Sequence, residues 1–291
     1  MTSSDLPRVL PQLASPLVSP QWLADHLGSE SLVVLDASVL AVTPPGGGPA
    51  QLLSGRGRHL VHGHVPGAVF ADVLESSGTD AAGAGAGTYF ARPSAERFAA
   101  AVSASGVDAE AAVVVYDSAD GRWAAHLWWQ LQAFGHENVA VLDGGYRRWF
   151  AEDRPVETGP VEPREALFDA VEHPQRWASR DEVQNVLDGD AEGTVVFAGD
   201  APAGAHFSGG VHLPASSLVD PETGRFLKPK RLRERVESTL GAPPYRVFVH
   251  CESGIAASAL ALALASLGET EVAVYDGADL LACPSPVSAA A

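Results

Sequence analysis

Cysteine is scarce in this sequence: two residues, Cys251 and Cys283, among 291. They form no framework that would staple a small secreted fold, which points to a reducing cytoplasm. Cations are scarce as well. Nineteen Lys and Arg stand against 36 Asp and Glu, a formal net charge of −17. Nucleic-acid binding needs a basic footprint, so this balance argues against nucleic acid as a main partner. The one basic cluster, Lys228 to Arg235, is interrupted by Glu234 and reads as the solvated face of a short helix. Long apolar runs are missing too. Ile255 to Leu264 is too short and too rich in alanine to span a bilayer, so no membrane role is expected. The first twenty residues carry prolines and lack an apolar core behind a basic start, and do not read as a secretory signal.

What is present is a repeat. Val113-Val-Val-Tyr-Asp117 parallels Val247-Phe-Val-His-Cys251, and each leads into a helical pattern ending at glycine, Arg122 to Gly135 and Ile255 to Gly268. Ala140-Val-Leu-Asp-Gly-Gly145 parallels Ala273-Val-Tyr-Asp-Gly-Ala278. His64-Val-Pro-Gly-Ala-Val69 parallels His206-Phe-Ser-Gly-Gly-Val211, and Val33 to Ala37 parallels Val195 to Gly199. Short β-rich runs alternating with amphipathic helices predict an α/β protein of tandem domains, each a mainly parallel sheet flanked by helices. The expected division is residues 1–150 and 174–291, joined by a proline- and acid-rich linker at 151–173. Ser76 to Thr88 is a glycine-alanine loop. It follows no clear strand, so a nucleotide fingerprint is not expected there, and no cofactor is expected at all.

The repeat sets Asp117 where Cys251 stands. One copy holds a carboxylate and the other a thiol, the pattern of a structural half beside a catalytic half. A loop between the carboxyl end of a strand and the amino end of a helix gathers unpaired N–H groups, which favour an anion and should lower the thiol pKa. Gly254 permits the turn, and Ser253 adds a hydroxyl. The plainer reading is a small buried core cysteine. His59, His62 and His64 form an H-x-x-H-x-H run, but His64 belongs to the repeat and no further ligand lies near, so no metal is expected. His250, alternating with Cys251 along the strand, is expected to pack in the core. Cys283 is either a resolving thiol or a plain tail cysteine.

These residues resemble the two-domain rhodanese family, the thiosulfate and 3-mercaptopyruvate sulfurtransferases. His64-Val-Pro-Gly-Ala-Val-Phe70, Val113 to Asp117, Leu142-Asp-Gly-Gly-Tyr-Arg-Arg-Trp149 and Cys251-Glu-Ser-Gly-Ile-Ala256 carry the resemblance, over nearly the whole chain. It implies a sulfane sulfur moved from 3-mercaptopyruvate or thiosulfate to a thiol or cyanide through a persulfide on Cys251. Glu252, Ser253, Gly254, Ile255 and Ala256 would then form the substrate cradle. The Cys-x-Ser-Gly loop looks closer to the mercaptopyruvate branch.

Departures accompany it. Ala198-Gly-Asp200 has an aspartate where the family's second half opens with an arginine, and the loop before His206 is shortened. Glu252 adds a negative charge beside the thiol, which opposes the effect of the loop. Leu74 and Tyr89 to Arg92 stand where the family has an assisting acid and histidine. Candidate replacement cations are Arg56 and Arg58, in an expected loop, and Arg122 and Arg147 from the first half. Arg122 also reads as a helix start, and Arg147-Arg148 as a surface pair. The alternative is a degenerate rhodanese that binds a partner or carries sulfur with little turnover. A cysteine phosphatase is disfavoured, because Ala257 stands where an arginine would hold phosphate. The sequence gives no oligomeric state.

Overall fold

Runs of Val, Leu and Ala bounded by glycine, proline and aspartate form the strands, as β propensity and turn chemistry dictate. The computed structural model describes residues 12–47, 50–76, 90, 92–200, 209–241, 246–251, 253–275 and 277. The first half contains β1 (Leu17–Val18), β2 (Leu32–Asp36), the hairpin β3 (Val39–Val42) and β4 (Gln51–Ser54), β5 (Val69–Phe70), β6 (Ala112–Tyr116) and β7 (Val139–Leu142). The second contains β8 (Trp177–Ala178), β9 (Thr194–Phe197), β10 (Val211–His212), β11 (Val247–His250) and β12 (Val272–Tyr275).

Each half builds a five-stranded parallel sheet, in the order β1-β7-β6-β2-β5 and β8-β12-β11-β9-β10. The two orders match position for position, so the sequence repeat is a repeat of topology. The central strands, β6 and β11, are buried along their whole length, as expected for strands covered on both faces.

The helices are α1 (Pro20–His26), α2 (Arg56–His62), α3 (Val73–Ser76), α4 (Ala95–Ala104), α5 (Arg122–Ala133), α6 (Gly145–Ala151), α7 (Arg180–Asp188), α8 (Pro229–Leu240) and α9 (Ile255–Ser266). Residues 56–62 are helical rather than the expected loop, because the short turn of α2 sets His59 into the core, where its Nδ1 meets Asp36 at 2.9 Å. The basic cluster lies on α8, a helix that buries only Leu232 and Val236.

α5 and α9 follow the two central strands and pack against each other. α9 is buried on every side, the mark of a helix inside a core rather than on a surface. α5 adds Trp128 and Trp129, both fully buried. One apolar cluster therefore runs through both halves, and truncating either tryptophan to alanine would cost about 3–5 kcal/mol. The stretch between the halves is extended but docked. Val171 and His173 donate N–H groups to the carbonyls of Phe134 (3.1 Å) and Ala133 (2.8 Å), and Phe168 is buried.

Candidate active site

β11 ends at His250, and the next residue, Cys251, sits at the carboxyl edge of the second sheet with 2% exposure. Gly254 caps α9 with φ 78, a left-handed conformation that costs an L side chain about 1–2 kcal/mol. The turn brings the first N–H groups of α9 over the sulfur. Sγ accepts from the Ala257 N–H at 3.2 Å. The N–H groups of Ser253, Gly254 and Ala256 also favour the thiolate, yet burial outweighs them and pushes the thiol above its ordinary 9.0. The expected lowering of the pKa is thus overturned for the resting state: desolvation of a nearly closed pocket exceeds the gain from its dipoles.

Ile255 and Gly254 are buried beside the thiol, and Ser253 and Ala256 are half-buried at its mouth. Glu252, Cys283, His206, Tyr89 and residues 77–88 of the glycine-alanine loop lie outside the described residues. His250 packs between Phe197 and Tyr275, with ring centroids 6.0 and 5.3 Å away, in the core position expected.

The corresponding loop of the first half is closed by its own side chain. Asp117 Oδ1 accepts the N–H groups of Ala119 (2.8 Å) and Gly121 (3.0 Å), and Oδ2 those of Trp123 (2.9 Å) and Ala124 (3.0 Å). Gly121, like Gly254, is a left-handed cap, with φ 84. Ala124 and Ala257 are both the third residue of their helices, so carboxylate and sulfur take the same backbone donor. Gly145 closes the loop from behind. A Cβ there would stand 2.5 Å from the Asp117 carbonyl, which already accepts the Tyr146 N–H.

Charges from both halves meet beside the cysteine loop. A narrow cleft there is lined by Asp120, Arg122, Asp200, Ala215, Ser216 and Ala256, among others. Arg122 begins α5 and is held by Asp120 through Nε at 2.8 Å, while Ser216 donates to Asp200 at 2.5 Å. Of the candidate cations, Arg122 alone lines this cleft. Arg56 lies over Phe70 and Arg58 over Tyr146. Arg147 is exposed and Arg148 half-buried, at the surface as expected, but Arg147 also reaches the second half. It donates to the carbonyls of Pro221 and Glu222, while Asp143 accepts from Arg225 Nε (2.9 Å) and the Phe226 N–H (3.2 Å). The Leu142-Asp-Gly-Gly-Tyr-Arg stretch therefore fastens one half to the other. Phe90, in the neighbourhood where the resemblance implies an assisting histidine, holds its carbonyl 3.6 Å from where a Gly254 Cβ would stand.

The sequence reading passed over His126 and Ser258. His126 lies on α5, 3.4 Å from the Ser258 hydroxyl on α9, and burial lowers its pKa to about 4. The available signal was polar spacing: His126 and Gln130 stand four apart in the largely apolar run Trp123 to Leu131. His59 and His64 stack at 3.9 Å, and His64 bonds to the carbonyls of Val65 and Gly159, which gives both rings packing roles.

Comparison with known proteins agrees with this architecture. Residues 19–152 match the family described as rhodanese-like domain. The chain is 30% identical to human 3-mercaptopyruvate sulfurtransferase over 286 residues, 92% of this chain and 91% of that protein. It is 30% identical to bovine thiosulfate sulfurtransferase, over 90% of this chain and 89% of that one. The crystal structure of SseA from Escherichia coli, a 3-mercaptopyruvate enzyme with the rhodanese fold, superposes with a TM-score of 0.76 at 26% identity, covering 91% of this chain and 98% of that one. The chain belongs to the rhodanese family and is a sulfurtransferase enzyme.

Proposed function

We propose that Cys251 is the sulfur carrier and that the chain moves a sulfane sulfur from 3-mercaptopyruvate or thiosulfate to cyanide or a thiol. The observation that carries this reading is the sulfur at the amino end of α9, accepting the Ala257 N–H at 3.2 Å with the N–H groups of Ser253, Gly254 and Ala256 around it. Its first-half counterpart is filled by a carboxylate. The cysteine loop has donors to spare for a charge that arises during reaction.

The chemistry runs in two steps. The Cys251 thiolate attacks the donor sulfur. With mercaptopyruvate the carbon–sulfur bond breaks, its electron pair leaves as the enolate of pyruvate, and a proton converts that to pyruvate. With thiosulfate the sulfur–sulfur bond breaks and sulfite leaves. In the second step cyanide attacks the outer sulfur, thiocyanate departs and the thiolate returns. Ser253, Gly254, Ile255 and Ala256 form the cradle, to which the resemblance alone assigns Glu252, and Arg122 offers the donor carboxylate or sulfonate a cation beside Ala256. The first half, 1–150, carries no nucleophile in its own loop, where Asp117 stands, residues 151–173 join it to 174–291, and a free thiol suits the reducing cytoplasm.

A second reading has one observation in its favour. A thiol 2% exposed, with its pKa raised, suits a weak or degenerate enzyme. Initial rates of thiocyanate formation decide between them. Steady turnover with either donor, lost in Cys251→Ser, supports the enzyme. A folded, reduced protein that turns over neither donor favours the degenerate binding module.

A further inference from the structure

His126 and Gln130 are buried, at 4% and 0% exposure, on the face of α5 that meets α9. Gln130 Nε2 lies 3.1 Å from His126 Nε2, and His126 Nδ1 lies 3.4 Å from Ser258 Oγ. Ser258 Oγ in turn donates to the Gly254 carbonyl at 3.0 Å. Proton counting gives the chain a direction. Ser258 has one hydroxyl proton and gives it to Gly254, so it accepts from His126 Nδ1–H. The Nε2 lone pair is then left for the Gln130 N–H. Burial keeps the imidazole neutral, with its pKa lowered to about 4, so it carries the one ring proton this arrangement requires.

Gly254 is the pivot of the cysteine loop. Its carbonyl accepts both the Ser258 N–H, at 3.1 Å, and the Ser258 hydroxyl. A trans peptide is planar, so a carbonyl fixed along α9 turns the N–H of Ile255 the opposite way, out of the amino end of the helix, and sets the turn between the Gly254 and Ala256 donors that favour the thiolate. We propose that His126, steadied by Gln130 and acting through Ser258, is a positioning residue that holds the Gly254–Ile255 peptide plane in the orientation the sulfur cradle needs. The inference rests on the reading of Cys251 as the sulfur carrier. It gives the first half a part in the chemistry of the second without any contact with substrate.

The test uses the full chain in a Cys283→Ser background, so that Cys251 is the single thiol. Ser258→Ala, Ser258→Thr, His126→Phe and the Ser258→Ala/His126→Phe double variant are compared by thermal unfolding, by kcat and KM, and by the pH dependence of Cys251 alkylation with iodoacetamide. The rim charges Asp120, Arg122 and Asp200 are the same in all of them. Expected for Ser258→Ala and for His126→Phe are a kcat lowered about tenfold, KM within about twofold, and a thiol that titrates higher than in the parent. Ser258→Thr restores both readouts, and the double variant is no worse than the poorer single one, because both act through one path. Parental kcat and thiol titration in folded Ser258→Ala would overturn the proposal, as would losses that multiply in the double variant. Ser258→Ala removes one oxygen, so it decides the matter even where His126→Phe fails to fold. The alkylation readout needs no sulfur donor, so it separates failure of the relay from failure of the sulfur-carrier reading.

Discussion

Two loops of the same build occupy the carboxyl edges of β6 and β11, and they use the same backbone donors in opposite ways. The Asp117 loop satisfies its N–H groups permanently, with four hydrogen bonds to one carboxylate. The Cys251 loop, one residue shorter from its first residue to the capping glycine, spends one at 3.2 Å on the thiol and keeps the others turned to the same pocket. Burial raises the pKa of both side chains. A filled cradle is a stabilising turn. One left partly open is equipped for a charge that appears only in the course of reaction.

The sharpest way to break the symmetry is to empty the first loop. Asp117→Ala leaves four N–H groups without a partner in a buried site, and unfolding in urea should show a loss of about 3 kcal/mol or more. Asp117→Asn, able to accept through one oxygen only, should fall between that variant and the parent. A loss no larger than that of a surface substitution would mean that the first loop is held by something other than its carboxylate.

The seam between the two loops has its own signature in acid. His126 titrates near 4 in the folded chain and near 6.5 when unfolded. Its folded pKa is the lower one, so the unfolded chain binds the extra proton first and stability drains away as the pH falls from about 6.5 through about 4. The full loss is about 3 kcal/mol. Asp117 acts in the opposite sense: its pKa is raised on folding, so its effect on stability worsens as the pH rises through and above the ordinary carboxylate range. Thermal scans against pH should show the first slope in the parent and not in His126→Phe.

The rim sharpens the comparison at a smaller scale. Arg122 begins α5, directly after the first loop, but lines the cleft beside the second. Arg122→Ala should raise KM for an anionic donor about tenfold with little change in kcat. Asp200→Asn should lower the same KM about threefold, because it removes one like charge from that cleft. Equal KM values in all three proteins would place the donor's anion elsewhere.

Much of this was legible in the sequence, for physical reasons. The strand runs repeat because each half must bury the same central strand, and Gly121 and Gly254 mark turns that only a left-handed residue makes cheaply. The pairing of Asp117 with Cys251 followed from alignment alone. The depth of the thiol did not, because the surroundings of its loop and helix include Phe90 beside Gly254 and α5 against α9, which arrive from the other half of the chain. The helix at Arg56 to His62 was hidden by the glycines around it. The part played by His126 depends on Ser258, 132 residues away, and no local pattern records that contact.

The most direct test of the account is the intact mass of the protein after incubation with 3-mercaptopyruvate or with thiosulfate, with Cys251→Ser treated alongside. The account predicts one added sulfur on the parent, none on the variant, and its removal by cyanide with release of thiocyanate. A folded, reduced parent that gains no sulfur from either donor, or a Cys251→Ser variant that gains one, would contradict it.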